Sequence, residues 1–233
     1  MEEIKKEIRY INAELRASAE PDSREINVTP IVFNSKSELL GSQTGRQFHE
    51  TIKPEAVSDE LLKNSDIVML YNHNDSQGIL ARSKKGKGSL MMTKDASGIH
   101  AKFMAKRTAL GEEVLQSVRA GDLSGASFAM YVDPNGKNDT WTRGADGYYN
   151  REINNINALF DFSIVGSPAY EATQVSTRGL DTLIEAEQKE LEKLATEKRV
   201  ADEKKLADDK LAEEKRIADL KVYYVELRKT LNL

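Results

Sequence analysis

The sequence predicts an α+β fold: a mainly antiparallel β-barrel with a few surrounding helices, followed by one long C-terminal helix. Three observations lead there. Between residues 26 and 165, short apolar runs of strand character are separated by Gly, Asp, Asn and Ser turns. Only two or three stretches in residues 1–180 have helical spacing, and so many short strands with so few helices suit a closed or nearly closed barrel. From residue 181 onward no Gly or Pro occurs, and 26 of the 53 residues are charged, against 46 of the first 180.

The elements follow in order. Ile4, Ile8, Ile11 and Leu15 have the spacing of a helix over 1–19, ended by Pro21-Asp22-Ser23. Ile26–Phe33 alternates as a strand, and a loop with Gly41 and Gly45 leads to a second at Phe48–Ile52. Lys53-Pro54 opens a short helix reaching Leu62. Strands are expected at Ile67–Tyr71, Ile79–Arg82, Gly88–Thr93 and Gly98–Met104. A helix over Thr108–Arg119 stops at Gly121. Further strands follow at Ala126–Val132, Tyr148–Ile153 and Leu159–Val165, with tight turns at Asn135-Gly136 and Asp146-Gly147. The expected organisation is an N-terminal helical segment (1–22), a main domain (23–180) and a charged helical or coiled-coil tail (181–233).

Within the tail, Val200 and Leu211 are eleven residues apart, as are Leu206 and Ile217. Eleven residues are close to three helical turns, so these side chains form one stripe. Ile217, Leu220, Tyr224, Leu227 and Leu231 then make a 3-4-3-4 seam. The pattern suits a helix that pairs with a partner, or a solvated single helix held by Glu–Lys pairs.

Composition narrows the function classes. With no cysteine, a disulfide framework and a thiolate metal site are both excluded. A net charge of −4 gives no basic field for nucleic acid. No apolar run approaches the roughly 20 residues of a membrane helix, and MEEIKKEIRY is charged from its second residue, so a soluble intracellular chain is expected. The three histidines, His49, His73 and His100, have no metal-ligand spacing, and neither a metal nor a cofactor is expected.

His73 stands out, set between Asn72 and Asn74 where the apolar run Ile67–Tyr71 gives way to a turn. A histidine can act as a general base near neutral pH when it sits beside a weak nucleophile and a third group fixes its tautomer. The most unusual serine is Ser127, in GDLSGASFAM, with small residues on both sides and a strand beginning. Asp161 lies among apolar neighbours in LFDFSIV, sharing a strand face with Ser163, and a carboxylate there needs a donor. By spacing alone, a lone histidine at a strand end is more often a hydrogen-bonded structural residue, and Ser127 also suits a turn cap and Asp161 an ion pair with a nearby Arg or Lys. His49 and His100 read as strand-surface or core residues.

These segments together resemble the tailed-phage prohead (capsid maturation) serine proteases, the family related to the herpesvirus assemblin proteases. The likeness runs from about Ile26 to Arg178. It is carried by PIVFN at 30–34, FHETIKP at 48–54, YNHN at 71–74 with ILAR at 79–82, DASGI at 95–99, GDLSGASF at 121–128, DFSIV at 161–165, and SPAY at 167–170 with Thr173. The resemblance implies an assemblin-like barrel and a serine endopeptidase with Ser127 as nucleophile and His73 as general base. It places Asp161 third, with Glu152 in reserve, because the herpesvirus relatives use a later histidine and none follows His100 here. Ala129-Met130 also departs from the Gly-Phe of many members. The Gly166-Ser167 turn is a candidate oxyanion donor. The implied substrates are the major capsid protein, its scaffold segment and the protease itself. The implied setting is an assembling prohead in the host cytoplasm, or a prophage-encoded cytoplasmic protein. The tail would bind scaffold or self-associate as a dimer or higher oligomer. The competing reading is a non-catalytic assembly or scaffolding protein.

Overall fold

The computed structural model describes residues 6–12, 14–41, 46–166 and 178–230. Ile4, Gly45, Ser167, Tyr170, Thr173 and Leu231, invoked above, lie outside them. In chain order the elements are β1 (Glu7–Asn12), β2 (Leu15–Ala17), β3 (Glu25–Val32), β4 (Phe48–Ile52), α1 (Asp59–Asn64), β5 (Asp66–Tyr71), β6 (Ala81–Lys84), β7 (Lys87–Gly88) and β8 (Met91–Lys94). They continue with β9 (Gly98–Met104), α2 (Ala109–Ala120), β10 (Gly125–Tyr131), β11 (Asp139–Arg143), β12 (Tyr149–Ile153), β13 (Ala158–Val165) and α3 (Arg178–Thr230). The chain divides into two compact units after Leu180.

The α+β class holds, but the closed barrel does not. The described strands form three open sheets: β1-β10-β13-β5-β6-β7, β2-β3-β9-β8 and β11-β12-β4. Pairing is mixed, since β13 runs parallel to β5 and β12 parallel to β4. One end of the largest sheet is β7, two residues of Lys and Gly, too short to carry the ladder round to β1. A pattern of short strands does not specify whether their edges meet.

Alternation sets the core. Ile26, Ile31, Ile67, Met69, Ile99, Phe128, Met130, Phe162 and Ile164 are buried in one apolar cluster. Helix α2 is capped at its start by the Thr108 hydroxyl, which accepts the Gly111 N–H at 3.2 Å. It ends at Gly121, whose left-handed φ of 81° suits glycine. The helix expected over 53–62 divides into a single 3-10 turn, Pro54–Ala56, and α1, capped by Ser58. On α3, Val200, Leu206, Leu211, Ile217, Leu220 and Tyr224 are all exposed. No helix is long and apolar enough to cross a membrane among the described residues.

The described part of the N-terminal segment is not a helix: it contains β1 and β2. The reason is a set of buried charges. Strand β1 pairs antiparallel with β10 and turns Glu7 and Arg9 inward, both under 5% exposed. The Arg9 guanidinium binds Glu50 on β4 through two bonds, 2.6 and 2.7 Å, and Glu7 at 2.6 Å. Arg151 on β12 donates to Glu7 at 2.6 and 3.2 Å, to Glu50 at 3.0 Å and to Asp139 on β11 at 2.7 Å. Such paired, charge-assisted bonds make burial tolerable, and removing one partner leaves an uncompensated charge at a cost of about 3–5 kcal/mol. A helix over the same residues could not aim Glu7 and Arg9 at these partners while pairing with β10.

Burial alone would push the Glu50 carboxyl up, but the Arg9 and Arg151 guanidiniums outweigh it and hold the group below the ordinary glutamate range. A folded value below the unfolded one means the stabilisation is complete above about pH 4.3 and is lost as the pH falls further. Urea unfolding followed against pH should therefore show a falling midpoint below about pH 4.3. In Glu50→Gln the chain should be less stable near neutrality, with a smaller acid loss; an acid slope unchanged by the substitution would remove Glu50 from the effect.

Candidate active site

Strand β13 lies between β10 and β5, and the three supply the three candidate residues from neighbouring positions in one sheet. Ser127 sits inside β10, opposite Ser163 of β13, while Asp161 of β13 lies opposite Ala129. His73 follows β5 in the turn Tyr71–Asn74, closed by a bond from the Asn74 N–H to the Tyr71 carbonyl at 3.1 Å. Both central residues of that turn are left-handed, Asn72 at φ 53° and His73 at φ 55°. Asparagine tolerates this region, but for histidine it is a strained position, with a cost on the order of 1 kcal/mol. The Asn74 side chain anchors the exit by accepting the Ser76 N–H at 3.0 Å and the Ser76 hydroxyl at 2.6 Å.

The turn brings the imidazole between the other two. His73 Nδ1 lies 2.5 Å from Asp161 Oδ1, and Nε2 lies 2.5 Å from Ser127 Oγ. With Asp161 as an acceptor, Nδ1 carries the proton of the neutral ring, and Nε2 presents its lone pair to the serine. Ser163, on the same face of β13, donates its hydroxyl to Asp161 Oδ1 at 3.1 Å and accepts the His73 N–H at 3.1 Å. It therefore fixes both the carboxylate and the backbone of the histidine. In the sequence, the two-residue spacing on a strand puts Ser163 beside Asp161 but does not by itself reveal this part.

Strand β1 closes the other side. Tyr10 stands opposite Ser127 in the ladder, and its ring meets His73 edge to face at 5.8 Å between centroids. The Ser127 hydroxyl also lies within donating distance, 2.8 Å, of the Arg9 carbonyl oxygen. The serine is wholly buried, at 0% exposure. Tyr10 and Arg9 were missed because the segment read as a helix.

The remaining candidates are engaged elsewhere. Glu152 on β12 pairs with Lys53 at 2.7 Å. His49 on β4 bonds the Ser37 carbonyl through Nδ1 at 2.9 Å. His100 on β9 lies between Thr29 at 3.0 Å and Asp95 at 3.0 Å. Hydrogen bonds from Ser97, first its hydroxyl and then its N–H, together with the one from His100, hold the Asp95 carboxyl well below the usual range. Of the Ala129-Met130 departure, Met130 packs into the core, and only Ala129 shares the Ser127 face. Of the candidate oxyanion turn, Gly166 is described and follows β13, whereas Ser167 is not.

The short Nδ1–Asp161 contact has a direct spectroscopic expectation. A proton NMR spectrum of 15N-histidine-labelled protein should show one strongly downfield ring proton, lost in Asp161→Asn and kept in Glu152→Gln. Its persistence in Asp161→Asn would assign that proton to another partner.

The family model for the caudovirus prohead serine protease matches residues 12–187, about three-quarters of the chain and all three of these residues. No curated protein and no solved structure matches the chain. A serine peptidase of capsid maturation is what this match supports, acting inside the assembling capsid. The chain belongs to the caudovirus prohead serine protease family.

Proposed function

We propose that this protein is an active serine endopeptidase that cleaves capsid protein, scaffold protein or both inside the immature head, and also cuts itself. The observation that carries the reading is the continuous chain from Asp161 through His73 to Ser127, with both links at 2.5 Å. In this reading, Ser127 Oγ attacks the carbonyl carbon of the substrate as its proton passes to His73 Nε2. Asp161 stabilises the imidazolium that results, and Ser163 keeps Asp161 in place. The tetrahedral intermediate collapses when His73 returns the proton to the leaving amine. Water, deprotonated by the same histidine, then releases the acyl group from Ser127.

The tail has a separate task in this account. Its exposed apolar residues, Val200, Leu206, Leu211, Ile217 and Leu220, are what a second helix would cover. We assign α3 to recruitment, through the scaffold segment of the capsid protein or through another copy of this chain, with the catalytic unit carried into the shell by it.

One observation favours a non-catalytic assembly protein instead: Ser127 is covered by β1. Co-expression with the phage's own major capsid protein separates the two readings. Wild type should shorten the capsid protein, and Ser127→Ala should not. Asp161→Asn should fold but process more slowly by about four orders of magnitude, while Glu152→Gln processes normally. Shortening that persists in Ser127→Ala would exclude this serine. In the same experiment, deletion of 181–233 should abolish incorporation into shells; normal incorporation would exclude the recruiting role.

A further inference from the structure

Strand β1 lies where an extended peptide would lie if it were added antiparallel beside β10. Its Arg9 carbonyl is the backbone group that meets Ser127 Oγ, at 2.8 Å. Arg9 thus stands in the position of the residue that gives its acyl group to the serine, and its side chain shows where that residue's side chain goes. It crosses to the far face of the sheet from Ser127 and ends in two bonds to the Glu50 carboxylate. Beside it is a cleft of about 210 Å³ whose lining outside β1 includes the apolar Leu40, Ile52 and Phe128, suited to an aliphatic stem, and Glu50.

The charges left after an exchange of strands also favour a cation. Glu7 and Arg9 belong to the same strand and leave together. Glu50 and Asp139 then stay behind, both bonded to Arg151, with an excess of one negative charge. A substrate strand with one cation and no carboxylate at these positions neutralises it, whereas an acidic side chain there would make two unpaired negative charges. Lys36, on the rim, is exposed and paired with Asp146.

We propose that Glu50 is the specificity-determining residue of the protease, selecting substrates with arginine or lysine immediately before the cleaved bond. This rests on the proposed peptidase activity of Ser127. The test incubates the full chain with a proteome-derived peptide library, using Ser127→Ala as the blank, and reads the new termini by mass spectrometry. The expected result is enrichment of Arg and Lys on the acyl side of the cuts by about tenfold. Glu50→Gln should lose most of this preference, and Glu50→Asp, which keeps the charge, should retain it. If Glu50→Gln fails to fold, the wild-type profile decides alone. Ser127-dependent cuts without a basic preference would overturn this inference and leave the peptidase reading standing. No Ser127-dependent cuts at all would overturn both.

Discussion

The arrangement of the site follows from one buried carboxylate. Asp161 is 7% exposed and lies on a strand with neighbours on both sides, so hydrogen-bond donors must reach it within the protein. Two do so: the imidazole Nδ1 and the Ser163 hydroxyl. To deliver the imidazole, the chain after β5 takes two left-handed residues in succession, and the second is the histidine itself. The Asn72 N–H, bonded to the Ile164 carbonyl at 3.1 Å, and the His73 N–H on Ser163 hold that turn to β13. Strain in the turn is thus balanced by satisfaction of the acid, and the ring's second nitrogen is left facing Ser127. Each group is fixed through a neighbour on β13, which is why the central strand matters more to the site than the loops.

A second set of buried charges holds the strand that lies against Ser127. Five ionised side chains, from β1, β4, β11 and β12, meet away from water and bind the edge strand to the body of the fold. The same strand lies over the serine. The Ser127 hydroxyl has one hydrogen and two neighbouring acceptors, His73 Nε2 and the Arg9 carbonyl. In the proposed reaction, a hydrogen directed to Arg9 is not available to His73, so β1 in this position would oppose the first proton transfer. In the same proposal, a substrate in place of β1 would present its carbonyl carbon to the oxygen and leave the hydrogen to His73.

Much of the main domain is legible in its sequence. β4 and β9 have the expected ends because turns bound them closely, and α2 is readable from Thr108 and Gly121. The partners for His73 could be nominated because a period of two puts Asp161 and Ser163 on one face and Ser127 on the face away from Phe128. Three features were hidden. β1 matches helical spacing, and what makes it a strand lies 41 residues away at Glu50 and 144 away at Arg151. β11, Asp139–Arg143, has one apolar residue, Trp141, so no alternation marks it. Closure depends on which edges meet, and no local pattern records that. Asn72 and Asn74, by contrast, are now accounted for as the left-handed entry and the anchored exit of the turn.

The central claim is that Ser127 is a nucleophile activated by His73 and covered by β1. Labelling of the full chain with a fluorophosphonate, mapped by mass spectrometry, addresses it most directly. The account predicts an adduct on Ser127 that forms slowly in wild type, faster in Arg9→Ala, and not in His73→Ala. An Arg9→Ala chain that folds and leaves Ser127 unlabelled, or labelling that survives the loss of His73, would contradict it.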